Sequence, residues 1–271
     1  MTRRRLDSEL VRRGLARSRD QAAELIDAGR VRVGGRPAGK PATQVETGAA
    51  IVVSAPVGDG DPGYASRGGH KLAGALAVFA DLDPRGRRCL DAGASTGGFT
   101  DVLLRAGAAH VVAVDVGYGQ LAWSLRTDAR VTVVERCNVR GLTPELVAAP
   151  DGELPSLAVA DLSFISLRLV LAPLRRSLTP DADLVVLVKP QFEVGKEKVG
   201  ARGVVRDPLL RAAAVREVAG HAAAIELGVT GLTASALPGP SGNVEYFLWL
   251  RAGAPPLADA ELTRAVAEGP T

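Results

Sequence analysis

From residue 88 onward the chain alternates short apolar runs with helical patterns, and this alternation constrains the fold more than any other feature. Runs near 88–92, 111–115, 131–135, 157–161 and 183–188 have the length of buried strands. Helical patterns near 70–79, 98–106, 119–126, 168–176 and 207–226 precede or separate them, and another lies near 258–267. Strands that alternate with helices build an open parallel sheet covered on both faces. Two further runs, near 229–236 and 244–250, have no helix between them. The stretch "SALPGPSGNVEYFLWL" reads as a hairpin, so the final strand is expected to be antiparallel. The expected fold class is α/β, with a seven-stranded, mostly parallel sheet.

The first 58 residues follow another pattern. Asp7 or Ser8 starts a short helix with Leu10 and Val11 inward, and Gly14 ends it. Ser18 caps a second helix, with Ala22, Leu25 and Ile26 at helical spacing and Gly29 as its stop. "VRVGGRP" then alternates and turns, and "AAIVVSA" offers a second strand. A small α+β module over residues 1–58, a linker over 59–66 and a large domain over 67–271 are the expected organisation.

Charge is distributed unevenly. Of 33 Lys and Arg, 11 fall in residues 1–40, against five of the 30 Asp and Glu. A basic end on a nearly neutral body points to a polyanion partner, with a solvated basic surface as the alternative. Hydrophobic residues make up 46% of the chain but aromatics only 4%, so Leu, Val and Ala must fill the core. No apolar run is long enough to span a bilayer, and "MTRRRLDSEL" lacks the apolar stretch of a secretory signal. A cytoplasmic protein without membrane contact is expected. Cys89 and Cys137 sit in strand-like contexts and are expected to pack rather than pair. No Cys/His grouping has metal-ligand spacing.

The chemistry starts at "DAGASTGGFTD", residues 91–101, a strand end, a glycine-rich turn and a helix start. In an open α/β sheet such turns hold ligands beyond the carboxyl ends of the strands. Gly93, Gly97 and Gly98 let the backbone come close to a ligand, and Ala94 and Ser95 in the same turn are further candidate cofactor contacts. The turn is neither the G-x-G-x-x-G dinucleotide fingerprint nor a G-x-x-x-x-G-K-[ST] phosphate loop. Asp91 would repel a pyrophosphate but suits a cationic ligand such as S-adenosylmethionine, whose ammonium it can bind directly or through water. Asp115 ends the second strand, where a carboxylate grips ribose hydroxyls. Asn138 and Val139 follow the third, near an adenine edge, and Asp161 ends the fourth in the same crevice.

This order of strand-end features resembles the class I methyltransferases, whose first motif is close to "LDAGASTGGFTD". "GLARSRDQAAELIDAGRVRVGG" resembles the S4 RNA-binding module of ribosomal proteins and RNA-modifying enzymes. That likeness makes Arg3, Arg4, Arg5, Arg12, Arg17, Arg19 and Arg30 candidate RNA contacts, phosphate contacts supplying sequence-blind affinity. Arg67, in "SRGG", joins them from the large domain.

Lys71 in "SRGGHKL", Asp161 in "DLSFISL", Lys189 in "LVKPQFE" and Glu245 in "GPSGNVEYF" resemble the Lys-Asp-Lys-Glu tetrad of FtsJ-type ribose 2′-O-methyltransferases. With the S4 module, residues 3–250 resemble the TlyA (haemolysin A) family. The resemblance implies S-adenosylmethionine as cofactor, ribosomal RNA in its subunits as partner, and cytidine 2′-O-methylation of 16S or 23S rRNA as activity. In that reading Lys71, Asp161, Lys189 and Glu245 are catalytic. Family members with an Arg-x-Trp-Val interdomain linker differ here, where Pro62, Gly63, Tyr64 and Ala65 stand. The rival readings are an inactive RNA-binding protein, a membrane-active haemolysin, and a base or protein methyltransferase. A base N-methyltransferase would more typically end its fourth strand in Asn/Asp-Pro-Pro-aromatic, where this chain has "DLSF". His70 is read as incidental, Phe164 and Phe192 as core or pocket wall, and "EVGKEKVGARGVVRD" as a polar loop placed to meet RNA or an ordinary surface loop.

Overall fold

Three consecutive arginines make the first strand of the computed structural model, which describes residues 3–16, 18–27, 29–53, 63–200, 203–239 and 241–270. The chain divides into two units, Met1–Gly63 and Tyr64–Thr271. Arg17 and residues 59–62 of the expected linker lie outside the described residues.

The smaller unit runs β1 (Arg3–Arg5), α1 (Leu6–Arg12), α2 (Arg19–Asp27), β2 (Val31–Val33), β3 (Arg36–Pro37), β4 (Gln44–Glu46) and β5 (Ile51–Val53). Strand β1 pairs antiparallel with β4, while β2 lies between β3 and β5. Leu6 and Leu10 of α1, Ala22, Leu25 and Ile26 of α2, Val31 and Val45 close one small core. Both helices lie where helical spacing of apolar residues places them. Strand β1 was not expected, because an all-arginine triplet carries no apolar alternation. Its register opposite Gln44, Val45 and Glu46 forms it instead.

The larger unit runs α3 (Arg67–Val78), β6 (Arg88–Ala92), α4 (Gly98–Arg105), β7 (His110–Val114), α5 (Trp123–Arg126), β8 (Val131–Val134), α6 (Pro144–Val147), β9 (Leu157–Ala160), α7 (Leu171–Arg176), β10 (Asp183–Val188), α8 (Pro208–Ala223), β11 (Leu227–Ala234), β12 (Tyr246–Ala252) and α9 (Asp259–Ala267). The sheet order is β11-β12-β10-β9-β6-β7-β8. Strand β12 is antiparallel to both neighbours, and the pairs among β10, β9, β6, β7 and β8 are parallel.

Alternate strand residues feed two cores. Leu90, Val112 and Val186 face α7, α8 and α9, while Cys89, Val111 and Val185 face α3, α4 and α5. Truncating a buried leucine such as Leu103 or Leu184 to alanine would cost about 2–5 kcal/mol. Both cysteines are free, and burial pushes the Cys89 thiol up to about 12, so it packs as an apolar side chain. The chain runs outward through β6, β7 and β8, then returns to β9 on the other side of β6. That reversal opens a crevice at the carboxyl ends of the strands, where such sheets bind ligands. Among the described residues, no helix is long and apolar enough to cross a membrane.

Candidate active site

Strand β6 ends at Ala92, and a turn of unusual conformation follows. Gly93 has φ 87°, and a Cβ there would sit 2.5 Å from the Asp161 carbonyl oxygen. Gly97 has φ 95° and precedes α4, with the Leu121 and Leu125 side chains where its Cβ would go. Ser95 is also left-handed, at φ 47°, and its N–H donates to Asp115 Oδ2 at 2.8 Å. Asp115 Oδ1 accepts the Gly117 N–H at 2.6 Å. The carboxylate therefore ties the β6 turn to the β7 turn.

Two cavities meet in the crevice. The larger, about 690 Å³, is lined by Gly93, Asp115, Asn138, Val139, Asp161 and Leu162 among others. The Asn138 side chain accepts from Arg140 N and caps a 3₁₀ turn at its edge. The smaller, about 280 Å³, is lined by Arg67, Lys71, Gly98, Asp161, Ser163 and Lys189, with Ala94 also on its wall. Gly93, Ser95, Asp161 and Ser163 belong to both walls.

Asp91 lies deeper. It is fully buried and lines neither cavity. Its Oδ2 accepts from Thr100 Oγ1 at 2.6 Å, and its Oδ1 is buried without a partner. Burial holds the carboxyl up at about 7, against the Thr100 hydrogen bond and with help from the Asp161 and Asp115 charges. Gly97 likewise shapes the turn from beneath rather than facing a cavity.

The four expected tetrad residues converge as two ion pairs. Lys189 Nζ lies 2.5 Å from Asp161 Oδ1, and Lys71 Nζ lies 2.5 Å from Glu245 Oε2. Lys71, Lys189 and Glu245 are buried, although three of the four come from different strand ends and the fourth from α3. Sequence reasoning missed two residues here. Ser163 Oγ accepts from Lys189 Nζ at 3.0 Å. Glu193, read as loop, is buried and accepts from Ser166 Oγ at 2.5 Å and Leu167 N at 2.8 Å, binding the segment after β9 to the one after β10. Burial raises its carboxyl above the usual range. Of the two readings of Phe164, pocket wall holds and core does not: it lines the larger cavity, is 91% exposed with φ 63°, and its ring lies tilted against Phe192 with centroids 5.3 Å apart.

The arginines sort into two groups. Arg3 and Arg4 are exposed on β1, Arg3 at 3.9 Å from Glu46. Arg5 and Arg19 bind buried Asp7, at 2.7 and 3.1 Å. Arg12 and Arg13 bind buried Glu9, at 2.6 and 2.8 Å. These pairs hold the Glu9 carboxyl down at about 2 and the Asp7 carboxyl lower still. Arg30 is half-buried. Exposed Arg67 donates to the Pro238 carbonyl at 3.2 Å beside the smaller cavity.

The glycine cradle, the partnerless Asp91 oxygen and the carboxylates Asp115 and Asp161 fit a cationic adenosyl cofactor. Fold and site together define a class I methyltransferase that uses S-adenosylmethionine. The FtsJ-like methyltransferase model matches residues 64–252 and the S4 domain model residues 4–51. The chain is 61% identical to the 16S/23S rRNA (cytidine-2′-O)-methyltransferase TlyA of Mycobacterium tuberculosis, covering 99% of both chains. It is 35% identical to Hemolysin A of Brachyspira hyodysenteriae, over 89% of this chain and 97% of that one. A solved structure from Streptococcus thermophilus that carries a hemolysin name superimposes with a TM-score of 0.77 at 38% identity, covering 99% of this chain and 96% of that chain. The chain belongs to the FtsJ-like methyltransferases and, within them, to the S4-bearing TlyA family.

Proposed function

We propose that this protein methylates the ribose 2′-hydroxyl of cytidine in ribosomal RNA, within ribosomal subunits in the cytoplasm. One observation carries the reading: Lys71 and Lys189 both line the smaller cavity, Lys71 backed by buried Glu245 and Lys189 by Asp161, which stands on the wall shared with the larger. The larger cavity is assigned to the cofactor. Asp115 would hold the ribose hydroxyls, Asn138 and Val139 the adenine edge, and the Gly93–Gly98 turn the amino-acid end. Asp91, from beneath, supports that turn and supplies negative charge. When bound, S-adenosylmethionine supplies an electrophilic methyl group.

A ribose hydroxyl is a poor nucleophile at neutral pH. It needs alignment and a path for its proton. Lys189, fixed by Asp161 and Ser163, is placed to orient the hydroxyl and, as the free amine, to take its proton. Lys71, fixed by Glu245, adds a second cation to the cavity wall. Arg67 and the exposed arginines of β1 would contact RNA phosphates. Arg5, Arg12 and Arg19 present guanidiniums already oriented by Asp7 and Glu9.

On the membrane-active reading, the structure says only that no helix among the described residues is long and apolar enough to cross a membrane. The acceptor is testable directly. A ribosomal subunit with 2′-deoxyribose at the mapped target nucleotide should take no methyl group, and transfer to it would make the acceptor a base.

A further inference from the structure

The Lys189 side chain is held by two groups, and only one of them belongs to the tetrad. An ammonium has three N–H donors in fixed tetrahedral directions. Ser163 Oγ accepts one of them at 3.0 Å, whereas Asp161 Oδ1, 2.5 Å from the nitrogen, is an ion-pair partner outside hydrogen-bond geometry. The directions left over carry N–H donors in the ammonium and include the lone pair in the free amine. Asp161 alone would leave the amine free to swing about one contact. The directional hydrogen bond to Ser163, added to the ion pair, fixes where the remaining directions point.

Ser163 also occupies an informative place. It is one of four residues on the wall common to both cavities, where a methyl group must cross. The segment carrying it is tightly specified. Asp161 N bonds Ala92 O at 3.1 Å on one side. On the other, buried Glu193 accepts from Ser166 Oγ and Leu167 N. Between them Phe164 adopts φ 63°, a conformation that bulky side chains rarely tolerate. Residues kept in such conformations persist where the surrounding structure over-determines them. Here the over-determined segment aims a hydroxyl at the lysine.

We propose that Ser163 is a positioning residue for methyl transfer, holding the Lys189 amine so that one of its open directions meets the acceptor oxygen. The inference rests on the reading of Lys189 as the group that aligns the acceptor.

The test is single-turnover methylation of ribosomal subunits by Ser163→Ala, Ser163→Thr and Lys189→Ala, with cofactor affinity measured by calorimetry. Ser163→Ala should slow transfer on the order of tenfold while leaving cofactor affinity unchanged. Its pH–rate midpoint should move to lower pH, because the ammonium loses an acceptor. Ser163→Thr, which keeps the hydroxyl, should restore both rate and midpoint. An unchanged rate in Ser163→Ala overturns the proposal. So does a slow Ser163→Ala with an unmoved pH profile that Ser163→Thr does not rescue, since that marks a merely structural role. If Ser163→Ala does not fold, Ser163→Gly removes the same hydroxyl and is judged by the same outcomes. A normal rate in Lys189→Ala would instead remove the underlying reading of the lysine, whatever Ser163 does.

Discussion

Lys71 and Glu245, 174 residues apart in sequence, meet as a buried ion pair with Nζ 2.5 Å from Oε2. Their side chains are 8% and 1% exposed, so neither charge has water to replace its partner. Removing one partner of such a pair strands the other, which costs about 3–5 kcal/mol. Lys71→Met should therefore lower stability by that order in denaturant unfolding. Lys71→Met combined with Glu245→Leu should recover most of it, because no buried charge is left over. Neither variant should recover methyl transfer. A double variant no more stable than the single one would mean the pair is not the source of the loss.

Lys189 differs from Lys71 in what its loss should spare. Lys189→Ala should reduce single-turnover transfer by about 10²–10⁴-fold while cofactor and RNA affinities stay near those of the parent. The amine acts where charge develops in the transition state, and ground-state contacts to either ligand lie mostly elsewhere. If the free amine takes the proton, the rate of the parent should rise with pH until Lys189 is deprotonated. A rate that does not follow this rise would assign the lysine to steering as an ammonium.

The cofactor side is checked at Asp115. Its two oxygens already hold Ser95 N and Gly117 N, so the same carboxylate shapes the cradle and offers its remaining lone pairs to ribose hydroxyls. Asp115→Ala should weaken S-adenosylmethionine by about 1.5–3 kcal/mol, the scale of a hydrogen bond to a charged group. Calorimetry on the folded variant measures this, and unchanged affinity would move the ribose away from β7.

Much of this arrangement was legible because strand ends are where an α/β sheet puts its chemistry. Asp91, Asp115, Asp161 and Lys189 each close an apolar run, and an apolar run fixes its own end. The antiparallel direction of β12 followed from the absence of a helix before it. What escaped detection lacks a pattern of its own. Strand β1 is three exposed arginines and exists through its pairing with β4. The helix expected over 119–126 begins only at Trp123, since Gly119 holds φ 68° and Ala122 is extended. Ser163 and Glu193 gain their roles from partners 26 and 27 residues away. Asp91 lies on the expected strand but lines neither cavity, because strand position does not tell a wall residue from one beneath it.

Salt dependence should separate the arginines of the smaller unit. Arg3 and Arg4 are exposed, whereas Arg5, Arg12 and Arg19 share buried carboxylates. Arg4→Ala should weaken RNA binding and reduce the salt slope by about one, with little change in stability. Glu9→Gln should cost stability instead, because Arg12 and Arg13 lose the negative charge they share and one of its two acceptor oxygens. An unchanged salt slope in both Arg3→Ala and Arg4→Ala would remove β1 from the RNA-facing surface.

The last expectation concerns pH and follows from Asp91. Its carboxyl titrates at about 7 when buried in the fold, against an ordinary value of 3.8. A carboxyl whose folded pKa lies above its unfolded one favours folding below the unfolded pKa. That contribution is lost as pH rises through the folded value. Asp91→Asn keeps the shape and an oxygen for Thr100 but never ionises. Its thermal midpoint relative to the parent should therefore rise between pH 3.8 and about 7 and level off above. Cofactor binding should act in the opposite sense. A cationic ligand favours the ionised carboxylate, so S-adenosylmethionine affinity of the parent should climb through the same window with release of a proton. Asp91→Asn should show neither the climb nor the proton release. Calorimetry in buffers of different ionisation enthalpy reads that proton. Equal proton release in parent and variant would place the titrating group elsewhere in the crevice.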